Sequence, residues 1–244
     1  MKKNSSFEFS TLSGHSRVAS ETGIETKSVV VWSRRSVLFA AGMFFLMPRF
    51  ALARVFQCGP KLRILLLVAL TGRYASVHAR YYEGVEEAVK TAIAKGCFVS
   101  LVSYDVYPSP GVLIDRAMSG ARKFGASVII APFGPTVGRL VAQKVSSALI
   151  FDISNTSPFG SPPVNLVTLP YSLFLTVDPK QRDESLRSLG RVAARIVLDT
   201  IQSSSPGTIS SPNDLVKAMA LRKFSSPKGT LALNRFTGAF ELIR

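Results

Sequence analysis

The stretch "VIIAPFGPTVGRLVAQ", Val128–Gln143, decides how the chain is read. Four apolar residues, Val128 to Ala131, have the length and β-branched content of a buried strand. Pro132, Gly134 and Pro135 break it, and from Thr136 the apolar positions recur at helical spacing. A strand over 128–131, a tight polar break and a helix over 136–147 make one turn of a strand–helix–strand fold. The break leaves a gap between the strand's carboxyl end and the helix's amino end. Free amides of the helix's first turn would face that gap and favour a carboxylate or another anion. Pro135, just before the helix, has no amide to leave unpaired.

The flanking sequence repeats the pattern. "LRILLLVAL", Leu62–Leu70, is a continuous apolar run of strand length, stopped by Thr71-Gly72-Arg73. His78–Lys95 carries Tyr81, Val85, Ala88, Val89, Ala92 and Ile93 on one side, with Gly96 as its stop. Phe98–Tyr104 predicts a second strand, Leu113–Phe124 a second helix closed by Gly125, and Leu149–Ile153 a fourth strand ended by "SNTSPFGSPP". The strands are apolar throughout rather than alternating. That belongs to an α/β doubly wound parallel sheet covered on both faces by helices. No Gly-x-Gly-x-x-Gly follows the first strand and no Gly-Lys-Ser/Thr occurs, so dinucleotide and P-loop chemistry lose their sequence support. Beyond Pro163 the sequence predicts an apolar strand-like stretch over 166–177 and a long helix over 181–202. "SSSPGTISSP" reads as a linker, followed by a short helix over 214–224 with Ser211 or Asn213 as cap. Gly229–Ile243 reads as a hairpin around "NRFTG".

The first 53 residues form a separate export segment. Ser33-Arg34-Arg35 precedes an apolar run, Val37–Met47, and Ala51-Leu52-Ala53 supplies small residues for cleavage. The paired arginines fit a twin-arginine signal, and an ordinary secretory signal fits the same layout. A membrane anchor is the third reading, but the run is shorter than the roughly 20 residues a span needs. The whole chain is +15, and 23 basic against 12 acidic residues remain after residue 53. These cations are scattered, without the basic–aromatic interleaving of single-strand binders, so no nucleic acid is expected. They suit solvated helix faces or an anionic envelope surface. Two histidines and two cysteines are too few for a zinc site, and no cofactor or metal is expected. With no Gly-x-Ser-x-Gly elbow and one histidine beyond the signal, the chain does not read as an enzyme. Cys58, close after the cleavage position, is also a candidate for lipid anchoring.

"LRILLLVALTGRYA", "YYEGVEEAVKTAIAKG", "VSLVSYDVYPSPGVLIDRA", "GASVIIAPFGPTVGRLVAQ" and "LIFDISNTSP" together resemble the amino-terminal lobe of the type I periplasmic binding proteins. That family includes the branched-chain amino-acid receptors. A related branch comprises the penicillin-binding protein activators. The resemblance implies an amino-terminal α/β lobe over 61–160 and, over 161–244, a reduced second-lobe remnant with a long helix and a carboxyl-terminal hairpin. Family members are longer and close two lobes over their ligand, whereas 86 residues follow Pro158 here, so a truncated second lobe is expected. The implied ligand is small, amino-acid-like or anionic, held where the strand order reverses between the first and third strands. By position in the family, Thr136 and Thr156 would contact it, with Gly134, Ser154 and Asn155 in the same loops and Arg73 and Tyr74 in the loop after the first strand. The same residues also read as turn formers, a helix cap and satisfied loop polars. The resemblance further implies periplasmic export, an ABC permease or a peptidoglycan synthase as partner, and a homodimer as one way to supply the missing wall. In this topology Cys58 and Cys97 precede neighbouring strands, which suits one disulfide in an oxidising compartment; two separate thiols fit the sequence as well.

Overall fold

The computed structural model describes residues 62–72, 74–106, 110–133, 138–155, 162–176, 178–205 and 207–243. The export segment, Cys58, Arg73, Gly134, Thr136 and Thr156 lie outside the described residues.

The first half of the chain forms four strands and three helices in strict alternation. They are β1 (Arg63–Val68), α1 (Ala75–Ala94), β2 (Ser100–Asp105), α2 (Pro110–Ser119), β3 (Val128–Phe133), α3 (Gly138–Lys144) and β4 (Leu149–Ile153). All four strands pair in parallel in the order β2-β1-β3-β4, with Ile64 opposite both Leu101 and Val128. Chain order therefore reverses between β1 and β3, as expected. The reason for parallel pairing is visible in burial. Ile64–Val68 and the whole of β4 are covered on both faces, which only a doubly layered sheet permits. The edge strand β2 is half-buried along its length.

Two cores result. One face of the sheet packs Leu66, Ile130, Phe151 and Val167 against α1 and the later helices. The other packs Leu65, Ile129 and Ile150 against α2 and α3. The helix expected over 113–124 continues α2 into a π-helical turn, Gly120–Phe124, where Gly120 lies flush on the Leu65 side chain. Asn165 secures the end of α3: its Nδ2 donates to the carbonyls of Val145 (2.7 Å) and Ala148 (3.0 Å).

The second half differs from the sequence reading in three places. The strand-like stretch 166–177 is only β5 (Leu166–Thr168), because Pro170 turns the chain into a 3-10 helix over Tyr171–Leu173. The helix expected to reach Phe224 is α5 (Pro212–Ala220), opened by a Ser211–Asp214 capping box. Phe224 instead enters a further strand, β6 (Lys223–Ser226), because its ring packs into the core against Phe240. With β7 (Gly229–Asn234) and β8 (Ala239–Ile243), β6 makes a three-stranded antiparallel extension rather than a simple hairpin. β8 joins β5 in parallel, so the later strands continue the first sheet: one eight-stranded sheet, β2-β1-β3-β4-β5-β8-β7-β6. Among the described residues there is no second sheet.

The long helix α4 (Pro179–Gln202) locks the halves together. Asp178 caps it through the Lys180 amide, 2.9 Å, with Pro179 at its first position. It runs parallel to α1: Arg80 meets Asp183 (3.0 Å), Glu83 meets Arg187 (2.8 Å) and Glu87 meets Arg191 (2.9 Å). Beneath these pairs the two backbones touch. A Cβ on Gly84 would collide with the Arg187 carbonyl, and one on Gly190 with the Tyr81 carbonyl.

Candidate functional site

A parallel sheet gathers its strand carboxyl ends at one rim, and the order reversal parts the helices there. β1 and β3 end at the reversal; β2 and β4 flank them about 14 Å apart, three strand spacings. Each flanking strand brings a carboxylate to the rim.

Asp105, the last residue of β2, accepts from the Leu70 amide (3.0 Å) and the Thr71 hydroxyl (2.6 Å). These bonds hold the start of the loop after β1 against its neighbour. His78, in the first turns of α1, is buried at 6% exposure. Burial lowers its pKa to about 4, partly opposed by the Asp105 charge, so the imidazole is neutral at pH 7.

Asp152, in β4, is the second carboxylate and is buried at 4% exposure. The Ser154 hydroxyl donates to it at 2.7 Å, and so does the Gly138 amide of α3. Burial raises its pKa, and those two bonds restrain the rise. Tyr81, one turn beyond His78, is wholly buried; burial first and the Asp152 charge second push its phenol well above the ordinary value.

The third helix was expected to aim unused amides into the gap; the amides at 136 and 137 lie outside the described residues, and the first described one, that of Gly138, is taken by Asp152.

Of the residues read as ligand contacts, three are described. Ser154 is buried and spends its hydroxyl on Asp152. Asn155 is exposed, but its Oδ1 accepts the Ser172 amide at 2.8 Å, tying the loop after β4 to the 3-10 turn. Tyr74 opens α1 at 46% exposure. Arg73, Gly134, Thr136 and Thr156 lie outside the described residues. The sequence reading passed over Thr71, Asp105, Asp152 and Tyr81 as site residues. Asp152 had a signal: it is the one charged residue in the apolar run "LIFDI". Among the described residues no group of histidine, cysteine and carboxylate side chains could hold a metal ion, and no helix is long and apolar enough to cross a membrane. Cys97 is buried and disulfide-bonded at the entry to β2, the strand beside β1.

The fold recurs in solved structures. An ABC transporter protein from Rhodopseudomonas palustris superposes with a TM-score of 0.56 over 75% of this chain and 94% of its own, at 9% identity. The chain has the type I periplasmic binding protein fold. A second protein of this fold, an R. palustris solute-binding protein in complex with 4-hydroxybenzoate, gives 0.54 at 10% identity, covering 74% of this chain and 90% of its own. A third, from R. palustris BisB5 in complex with 3,4-dihydroxybenzoic acid, gives 0.53 at 11%, covering 73% and 90%. At these identities the likeness is one of fold alone. No protein-family model matches the chain, and no curated protein matches its sequence.

Proposed function

We propose that the protein is an exported solute-binding component of an ABC transport system, holding a small amino-acid-like ligand at the rim between β1 and β3. The observation that carries this reading is the pair of rim carboxylates, Asp105 and Asp152, on either side of the order reversal in a binding-protein fold. A carboxylate on either flank, with the Gly138 amide already donated to Asp152, favours a ligand with an ammonium group over a simple anion. Thr71, Tyr74 and the loops containing Thr136 and Thr156 would supply hydroxyl contacts, with Arg73 available to a carboxylate. Solved proteins of this fold are found with hydroxybenzoates, so aromatic acids belong in the same screen. An export segment over 1–53 would carry the chain to the periplasm, where Cys97 would pair with Cys58.

A second reading, an envelope interaction protein like the penicillin-binding protein activators, is favoured by the single sheet. No second sheet among the described residues faces the rim, so a ligand there stays wet and its hydrogen bonds exchange with those of water. A thermal-shift screen of amino acids and hydroxybenzoates, paired with pull-down of peptidoglycan synthases, separates the two. Stabilisation by a leucine-like or aromatic ligand supports solute binding. No shift with any ligand, together with capture of a synthase, replaces it with the interaction role.

A further inference from the structure

Away from the rim, a cleft of about 370 Å³ runs between α4 and β6. Because α4 is parallel to α1, its second half lies toward the amino ends of the parallel strands, opposite the proposed ligand site. The floor of the cleft is apolar: Val192 and Ile196 from α4, four residues apart, and Phe224 from β6, all buried. Its walls are cationic, with Arg195, Arg222 and Lys223 against the single carboxylate of Asp199, which pairs with Arg195 at 3.6 Å. Arg222 is held in place by donating to the Ser203 carbonyl at the end of α4, 3.1 Å.

We propose that this cleft binds an extended acidic peptide, which adds as a ninth strand to the free edge of β6. β6 is the last strand of the sheet, paired only with β7 among the described residues. Every second residue of such an edge turns its N–H and C=O outward, where an incoming strand completes the ladder. A helix alongside the edge, with an apolar floor between them, is the arrangement that strand-addition grooves use for alternate side chains. β6 spans four residues, about 13 Å, enough to register a short segment. Charge selects the occupant. A second copy docked edge to edge would set the same three cations against each other. The chain's own residues 1–61 carry nine basic and three acidic side chains and have the wrong sign. A segment alternating acidic and apolar residues matches both the walls and the floor.

The test is fluorescence anisotropy of a labelled peptide of alternating glutamate and valine, titrated with the disulfide-intact exported protein. Two control peptides replace glutamate by lysine, or place proline at alternate positions with the charge unchanged. Expected are saturable binding of the acidic peptide, about ten-fold or greater loss with either control, and a similar loss in Arg195→Glu and Lys223→Glu, both exposed and both checked for an unchanged circular dichroism spectrum. The proposal is overturned if the proline peptide binds as well as its parent, because charge alone would then suffice. It is equally overturned if the variants bind like the wild type, or if sedimentation shows self-association without peptide binding.

Discussion

Gly138 lies directly on the carboxylate of Asp152: its amide donates to that carboxylate, and a Cβ in its place would fall 2.5 Å from the Asp152 Cβ. The contact pins the first described turn of α3 to β4 and uses the Gly138 amide. Gly138→Ala should therefore destabilise the protein by about 2 kcal/mol, the ordinary cost of overpacking. In a double-mutant cycle with Asp152→Gly, the two losses should fall short of additive by about 1 kcal/mol, since removing the whole Asp152 side chain, its Cβ included, removes the clash. Urea denaturation of the four proteins measures this; strict additivity would mean that the two residues do not share the site.

The α1–α4 seam makes an opposite prediction from helix propensity. Alanine for glycine in an exposed helix stabilises by about 1 kcal/mol. Here Gly84→Ala and Gly190→Ala each drive a methyl into the facing helix's carbonyl, so each should lose about 1–3 kcal/mol. Stabilisation by either change, read from the midpoint of denaturation, would show that the helices stand further apart. The ion pairs above the seam are exposed and contribute far less.

His78 sets a pH dependence. Its folded pKa, about 4, lies below the unfolded value of 6.5, so the unfolded chain takes up the proton first. Stability is complete above pH 6.5 and falls on acidification to about 4, by on the order of 3 kcal/mol. Asp152 acts with the opposite sign: its raised pKa means that the folded state holds a proton longer, so it loses stability as pH rises through that value. His78→Asn should flatten the slope between pH 6.5 and 4. An unchanged slope in the variant would assign the effect elsewhere.

Much of this fold was legible because burial on both faces writes itself as unbroken apolar runs. β1, β3 and β4 needed no tertiary information beyond "RILLLV", "VII" and "LIFDI". Ser211 was readable as a cap for the same local reason. β6 was not, because "KFSS" has no periodicity of its own; it is a strand only because Phe224 finds Phe240. The joining of β8 to β5, which carries the tail strands into the first sheet, is equally nonlocal. At the rim, loop residues such as Asn155 looked like ligand contacts, yet Asn155 is tied to the Ser172 amide, a partner 17 residues away. Polar loop residues carry no local sign of whether their hydrogen bonds are already spent.

Cys97 gives a redox prediction. Its disulfide, with Cys58 as the proposed partner, closes a loop whose loss costs about 3 kcal/mol. Cys97→Ser, or reduction of the wild type, should lower the denaturation midpoint to the same value, and thiol titration of the exported protein should find no free group. Two titratable thiols would remove the pairing.

The central claim is that the rim between β1 and β3 holds the ligand, and backbone amide shifts in nuclear magnetic resonance test it most directly because they register weak as well as tight binding. Titration with leucine, isoleucine and 4-hydroxybenzoate should move the amides of Leu70, Thr71, Ser154 and Asn155 with one saturation curve, leaving those of β6 and β7 in place. Shifts confined to the α4–β6 cleft, or none at saturating ligand, would contradict it.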